Sequence, residues 1–247
     1  MIFPIGDQQV KGGHTPYFSY GLIIANIAIF IWQMMAGPSA ISCELGAIPI
    51  HIVQGEKLHT VISSMFLHGG IGHLLGNLIF LWIFADNIEA TVGSPKFLFL
   101  YFSGGIIAVL AHIYLGTSFG LENCCDPCGI QGNMPCTTGM GACGLLTPMI
   151  GASGAISTVL GAYLVMFPHS KIRVLFFVIP FRVPAFLFLG FWAYQQWTSG
   201  LAANAGYDSS VAYWAHIGGF VFGLVLGLIF RTKRREPQRA FDAKDFI

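Results

Sequence analysis

VAYWAHIGGFVFGLVLGLIFRTKRRE, residues 211–236, decides how the rest of this chain is read. Val211–Phe230 contains no Asp, Glu, Lys or Arg, and Arg231, Lys233, Arg234 and Arg235 follow at once. A helix needs about 20 mostly apolar residues to cross a hydrocarbon layer roughly 30 Å thick. Basic residues collect on the cytoplasmic side of such helices. The stretch therefore reads as a membrane span whose C-terminal end faces inward. Ala215, Gly219, Gly223 and Gly227 recur every four residues, giving one face of small side chains along which helices in lipid can approach closely. His216 lies beside that face.

The composition of the whole chain agrees. Only 12 Lys+Arg and 11 Asp+Glu occur in 247 residues, or 9% charged, against roughly 25% in an average soluble domain. Hydrophobic types reach 55%, Phe occurs 22 times, and mean hydropathy is +0.69. That is too little charge to cover a soluble surface. A net charge of +1 also leaves no electrostatic footprint for nucleic acid. Disorder, nucleic-acid binding and an ordinary soluble enzyme are excluded.

Charged residues divide the remainder into five further spans. These are Tyr17–Ala36, the part of Leu58–Ala85 that begins near Gly70, Phe97–Gly116, one contained within Leu145–Phe167, and Val183–Trp197 extended to Gly200. The octet Ile172–Ile179 is too short to cross and is expected in the interface. An all-α bundle of six spans results, with residues 1–16 as an N-terminal segment, 17–230 as the membrane domain and 231–247 as a basic tail. On this parse Lys11, Lys96, Lys171, Arg173, Arg182, Arg231, Lys233, Arg234, Arg235, Arg239 and Lys244 fall on one side and only Lys57 on the other. Both termini are therefore expected to be cytoplasmic. Residues 1–16 lack the basic start of a signal peptide, and the first apolar run is too long for one.

All six cysteines fall in outer loops: Cys43 in the first, and Cys124, Cys125, Cys128, Cys136 and Cys143 in the Gly- and Cys-rich insert 120–144. That placement points to disulfides in an oxidising compartment, hence to a cell membrane, inner or plasma, as the location. A zinc site using Cys125 and Cys128 with Cys136 and Cys143 is the rival, and the spacing sets no connectivity.

Polar groups within spans are costly and are functional candidates by default. His73 and Asn77 lie in the first turns of span two, and Ser153 lies at the start of span four. His216 is six residues into span six, about 8 Å down the axis. Spans two, four and six run in the same direction, so these four side chains share one shallow depth. Gly154, Ser157, Thr158 and Gly161 give span four a small-residue face to match that of span six. If the faces meet, Ser153 and His216 become neighbours. A serine hydroxyl becomes a nucleophile when a base within hydrogen-bond reach takes its proton. With no carboxylate inside a span, a Ser–His dyad is expected, Asp208 in an outer loop being a weak third member. The Ser153 backbone N–H, the Asn77 amide and His73 are candidate oxyanion donors. The bland alternatives are a helix cap for Ser153, a cross-helix hydrogen bond for His216 and interhelical packing for Asn77. His112 reads as structural, and His68, near the mouth of span two, as an interfacial anchor or a brace of the outer loop.

Phe66-Leu-His-Gly-Gly-Ile-Gly-His-Leu-Leu-Gly-Asn77, Phe80-Leu-Trp-Ile-Phe84, Gly151-Ala-Ser-Gly154 and Ala215-His-Ile-Gly-Gly219 resemble motifs of the rhomboid intramembrane serine proteases. The similarity extends over most of residues 17–230. The resemblance implies that Ser153 is the nucleophile and His216 the base, with Asn77 and His73 as the oxyanion pair. It further implies support from His68, packing at Gly154 and Gly219, and a structural glutamate at Glu89. The implied substrates are transmembrane proteins cut within or beside the lipid bilayer, at a site open to the outer face, without metal, ATP or other cofactor. Ser157 stands where an aromatic or Ala is common, which implies a more polar surface behind His216. Ala85 and the missing Trp-Arg pair near Gln54–Thr60 are further departures. A catalytically inactive relative that binds or chaperones membrane proteins is the alternative. A transporter would instead place its polar groups near the midplane.

Overall fold

The computed structural model describes residues 2–10, 13–116, 125–130, 144–177, 179–205 and 211–231. Lys11, Cys124, Cys136, Cys143, Asp208, Lys233, Arg234, Arg235, Arg239 and Lys244 lie outside them, as does most of the insert 120–144.

Among the described residues six helices form the body: α1 (Tyr17–Ala36), α5 (Ile71–Val92), α6 (Ser94–Leu115), α7 (Ser153–Met166), α8 (Ala185–Asn204) and α9 (Tyr213–Phe230). Short helices α2 (Pro38–Leu45), α3 (Pro49–Val53) and α4 (Thr60–Ser63) fill the connection between α1 and α5. Among the described residues α1, α5, α6 and α9 are long and apolar enough to cross a membrane, whereas α7 is a shorter apolar helix. At 14 residues it is about 21 Å long. α8 reaches 20 residues but carries Gln195, Gln196, Thr198, Ser199 and Asn204 in its second half.

Within the apolar stretch Leu145–Phe167 the helix occupies only Ser153–Met166, with Ser153 at its start as expected. Residues 145–151 are drawn aside to pair with the α2–α4 region. Ile50 N–H donates to Leu145 O, Ala47 and Met149 exchange two backbone hydrogen bonds, and Gly151 N–H donates to Ser64 O. Gly151 then turns the chain at φ +127°, and the helix starts at Ser153. Span five begins at Ala185 rather than Val183, because Val183 is committed to a strand.

The fold is mostly helical rather than all-α. The octet expected in the interface belongs to a three-stranded antiparallel sheet, β1 (Ile2–Gly6), β2 (Lys171–Phe176) and β3 (Ile179–Pro184). β2 alternates as a half-buried strand should, with Ile172 and Val174 fully buried and Lys171 and Arg173 exposed. The residues that follow β1 are fastened to α5 and α7. Asp7 accepts from Asn87 Nδ2 at 2.6 Å and from the Tyr163 hydroxyl, and Val10 N–H donates to Asn87 Oδ1 at 2.7 Å. Burial pushes the Asp7 carboxyl up to about 7, Asp86 adding to the effect while the Tyr163, Asn87 and Gln9 hydrogen bonds oppose it.

Close approaches set the helix directions. Phe84 meets Tyr163 at a ring separation of 4.9 Å, so α5 and α7 run parallel with Gly151 beside His73. α7 and α9 also run parallel, with Gly154 against Gly219, Thr158 against Gly223 and Ala162 against Gly227. A Cβ on Gly219 or Gly223 would overlap the α7 backbone, so these glycines allow a separation that no other residue would. α6 and α8 run antiparallel to this trio.

Glu89, fully buried, ties three helix ends together. Its carboxylate accepts from the backbone N–H groups of Phe18 (3.1 Å) and Ser19 (2.7 Å), and from the hydroxyls of Ser19 (2.7 Å) and Ser94 (2.6 Å). The two N–H groups belong to the first turn of α1, where donors have no partner within the helix. Glu89→Ala should lower stability by roughly 2–4 kcal/mol, because buried donors lose a charged acceptor. Thermal unfolding in detergent reads this, and Glu89→Gln should fall between Ala and the natural residue.

Candidate functional site

The site lies at the end of the bundle that carries the N-termini of α5, α7 and α9. Ser153 is the first residue of α7, but its hydroxyl does not cap the helix; Ala152 holds the cap position, without a side-chain hydrogen bond. Instead Ser153 Oγ is 2.8 Å from His216 Nε2 on α9. Both residues are half-buried, screened from solvent yet not sealed off. Gly154 and Gly219 make that distance possible, since a side chain on Gly219 would overlap the Gly154 carbonyl.

The α5 residues stand on the other side of Gly151. A Cβ on Gly151 would meet the His73 imidazole at 2.8 Å and would itself lie 3.7 Å from Ser153 Oγ. Gly151 is thus required twice, for its positive φ and for the closeness of the ring. His73 Nδ1 accepts from Gly69 N–H at 3.3 Å, which leaves the proton of the neutral ring on Nε2, the nitrogen nearest Gly151. Asn77, one turn on and 8% exposed, donates one amide hydrogen to His73 O at 3.1 Å and keeps a second. A cleft opens beside Ser153, lined by Ser64, Met65, Met149, Gly151 and Ala215.

His68 is buried between Phe30 and His73, with ring separations of 6.4 Å and 5.2 Å. Burial first, and then the nearby His73, hold its imidazole down at about 4, so it is neutral at physiological pH. Its backbone is clasped by Gln33, which accepts from His68 N–H at 3.0 Å and donates to His68 O at 3.1 Å. Gln33 went unnoticed in the sequence, although a glutamine inside span one was the signal.

Ser157 is not what supplies a polar surface behind His216. The Ser157 hydroxyl donates to Ser153 O at 2.6 Å on its own helix. The imidazole faces α8 instead. Trp192 lies 6.1 Å away, tilted by 32°, and Gln196 Oε1 is 2.7 Å from His216 Nδ1. Neither residue was singled out from the sequence; a Gln pair near the end of an apolar span was the cue.

The described loop cysteines are disulfide-bonded. Cys43 on α2 is bonded to Cys128 across 85 residues of sequence, and Cys125 is disulfide-bonded as well. That removes two thiolates from the zinc set considered above.

Known proteins of similar sequence carry related names. The chain is 28% identical over 236 residues to Rhomboid protein 1, mitochondrial, of Saccharomyces cerevisiae, covering 93% of this chain and 58% of that protein. It is 28% identical over 204 residues to RHOMBOID-like protein 12, mitochondrial, of Arabidopsis thaliana, covering 81% and 54%. It is 26% identical over 231 residues to the human Presenilin-associated rhomboid-like protein, mitochondrial, covering 88% and 50%. The chain thus spans about half the length of the curated relatives it matches. All three are mitochondrial by name, which overturns the expected location in an inner or plasma cell membrane. Disulfides report the chemistry of the space the loops face, not which membrane borders it. The Rhomboid domain model matches residues 55–233, a stretch that holds all three helices meeting at Ser153, and the chain belongs to the rhomboid family.

Proposed function

We propose that this chain is an intramembrane serine endopeptidase that cleaves transmembrane proteins within or beside the bilayer. The observation that carries the reading is the 2.8 Å contact between Ser153 Oγ and His216 Nε2, made by a serine that does not cap its helix. In this reading His216 takes the hydroxyl proton as Ser153 Oγ bonds to the scissile carbonyl carbon. The tetrahedral oxyanion is received by the Ser153 backbone N–H at the start of α7, with the free Asn77 amide hydrogen and His73 Nε2–H beside it. Protonated His216 then gives its proton to the departing amine, and water hydrolyses the acyl-enzyme by the same steps. No residue in this scheme calls for a metal or other cofactor.

The wider reading is a six-span bundle with α7 and α8 as the fourth and fifth spans. Its basic side carries both termini, and its site opens to the opposite face. The membrane is a mitochondrial one, following the names of the relatives, with the disulfide-bearing loops on its oxidising side. Peptide in lipid is held as helix by its own hydrogen bonds, so a substrate must unwind locally, and helix-breaking residues near the cut should favour cleavage.

The test is incubation of the purified chain in liposomes with a fluorescently labelled single-pass protein. Cleavage at the membrane region, blocked by a fluorophosphonate that labels Ser153, is expected. An inactive binding relative would retain the substrate without cutting it, and that outcome would overturn the proposal. Asn77→Ala should lower kcat by roughly 10²–10³-fold, the usual loss for one side-chain oxyanion donor. An unchanged kcat would return Asn77 to a packing role.

A further inference from the structure

An imidazole acts as a base only through the nitrogen that carries no proton, so something must keep the proton on the other one. In His216 the two nitrogens have different partners, Ser153 Oγ at Nε2 and Gln196 Oε1 at Nδ1. A carbonyl oxygen can only accept. The contact at Nδ1 therefore requires Nδ1–H, and Nε2 then presents its lone pair to the Ser153 hydroxyl. Were the Gln196 amide rotated, its NH2 would donate to Nδ1 and leave Nε2 protonated, the form that cannot take the proton of Ser153.

We infer that Gln196 is a positioning residue for the proposed reaction, its side-chain carbonyl holding the Nδ1 proton of His216 so that Nε2 stays free for Ser153. The inference rests on the catalytic reading of Ser153 and His216 and adds to their dyad a neutral third member from α8. Trp192, one turn earlier on the same helix, flanks the same ring. α7 offers no substitute, because Ser157 is engaged with its own backbone. The other titratable groups near His216 are His73 on α5 and His112 on α6, with Tyr213 of its own helix edge-on at 6.5 Å. No carboxylate is among its hydrogen-bond partners in the described residues. α8 itself buries only Ala185, Leu189 and Gly200. The tautomer of the base is thus set from a peripheral helix.

The test uses the full chain in liposomes or detergent. Gln196→Leu should lower kcat by about 10–100-fold, the size of loss found when the partner that orients a metal-binding histidine is removed, and leave KM essentially unchanged. Gln196→Glu keeps the acceptor. It should recover most of kcat and move the acid limb of the pH–rate profile to higher pH, because a carboxylate stabilises the imidazolium. A space-filling role would give no such movement, and an unchanged kcat in Gln196→Leu would overturn the inference. The tautomer can be read without turnover, by 15N NMR of histidine-labelled protein. Protonation at Nδ1 in the unaltered chain, with a mixture in Gln196→Leu, is expected, and protonation at Nε2 in the unaltered chain would overturn the inference. Absence of Ser153-dependent cleavage would instead remove the catalytic reading, so the two failures are distinguishable.

Discussion

Ser153→Ala should lower kcat/KM for a transmembrane substrate by at least about 10⁴-fold, or roughly 5.5 kcal/mol of transition-state stabilisation. The substitution removes the proposed attacking atom and little else. Ser153 supplies no cap to α7, so the helix start loses no hydrogen bond, and Ala is the better helix former. The apparent Tm in detergent should stay close to that of the unaltered chain. That combination separates chemistry from folding. His216→Ala should lose a similar amount, and the double variant should be no worse than either single one. A nucleophile and its base act as one unit, so removing the second half removes nothing further. Initial rates with a fluorescent substrate in liposomes measure all three. Full activity in Ser153→Ala would overturn the mechanism, and additive losses would mean that the two residues act separately.

What was legible in the sequence follows a physical pattern. Spans are a property of about 20 consecutive residues, so α1, α5, α6 and α9 stand out by composition alone. The meeting of α7 and α9 was also legible, because small residues at four-residue spacing mark close faces. Contacts between distant segments were not. β1 holds Pro4 and Gly6 in five residues, a poor strand by itself, and it becomes one by pairing with β2 far along the chain. The path of residues 145–151 is likewise written in Ala47, Ile50 and Ser64, which capture them. The Cys43–Cys128 bond has the same character. In the site, the residue types suited to the proposed chemistry were legible, but the amides that touch them were not. Gln195 and Gln196 are identical neighbours in sequence, and only packing exposes the first and sets the second against His216.

Gly223→Val should then be the most damaging change away from the reactive groups. A Cβ at Gly223 would run into the Thr158 carbonyl, and its next nearest atoms, C and Cα of the same residue at 2.8 Å, are backbone too. No rotamer change can relieve a clash with backbone, so α7 and α9 must move apart. Overpacking of this kind costs about 1–3 kcal/mol where side chains can yield, and more than about 3 kcal/mol is expected here, where none can. The damage should also travel. His216 lies seven residues before Gly223, about 10 Å along α9, and hinging the helices open would lengthen the Ser153–His216 contact. A misplacement of about 1 Å at a reacting pair is worth roughly 10²-fold in rate. Gly223→Val should therefore lower both Tm and kcat. Gly76→Ala on α5 is the control. A Cβ there meets nothing within 4 Å, so it should leave kcat unchanged and hold or slightly raise Tm, Ala being the better helix former. Unfolding by denaturant in mixed micelles and cleavage rates at a temperature where both variants remain folded separate the two effects. If Gly223→Val left the rate intact, the α7–α9 approach would not be what holds the serine against its base.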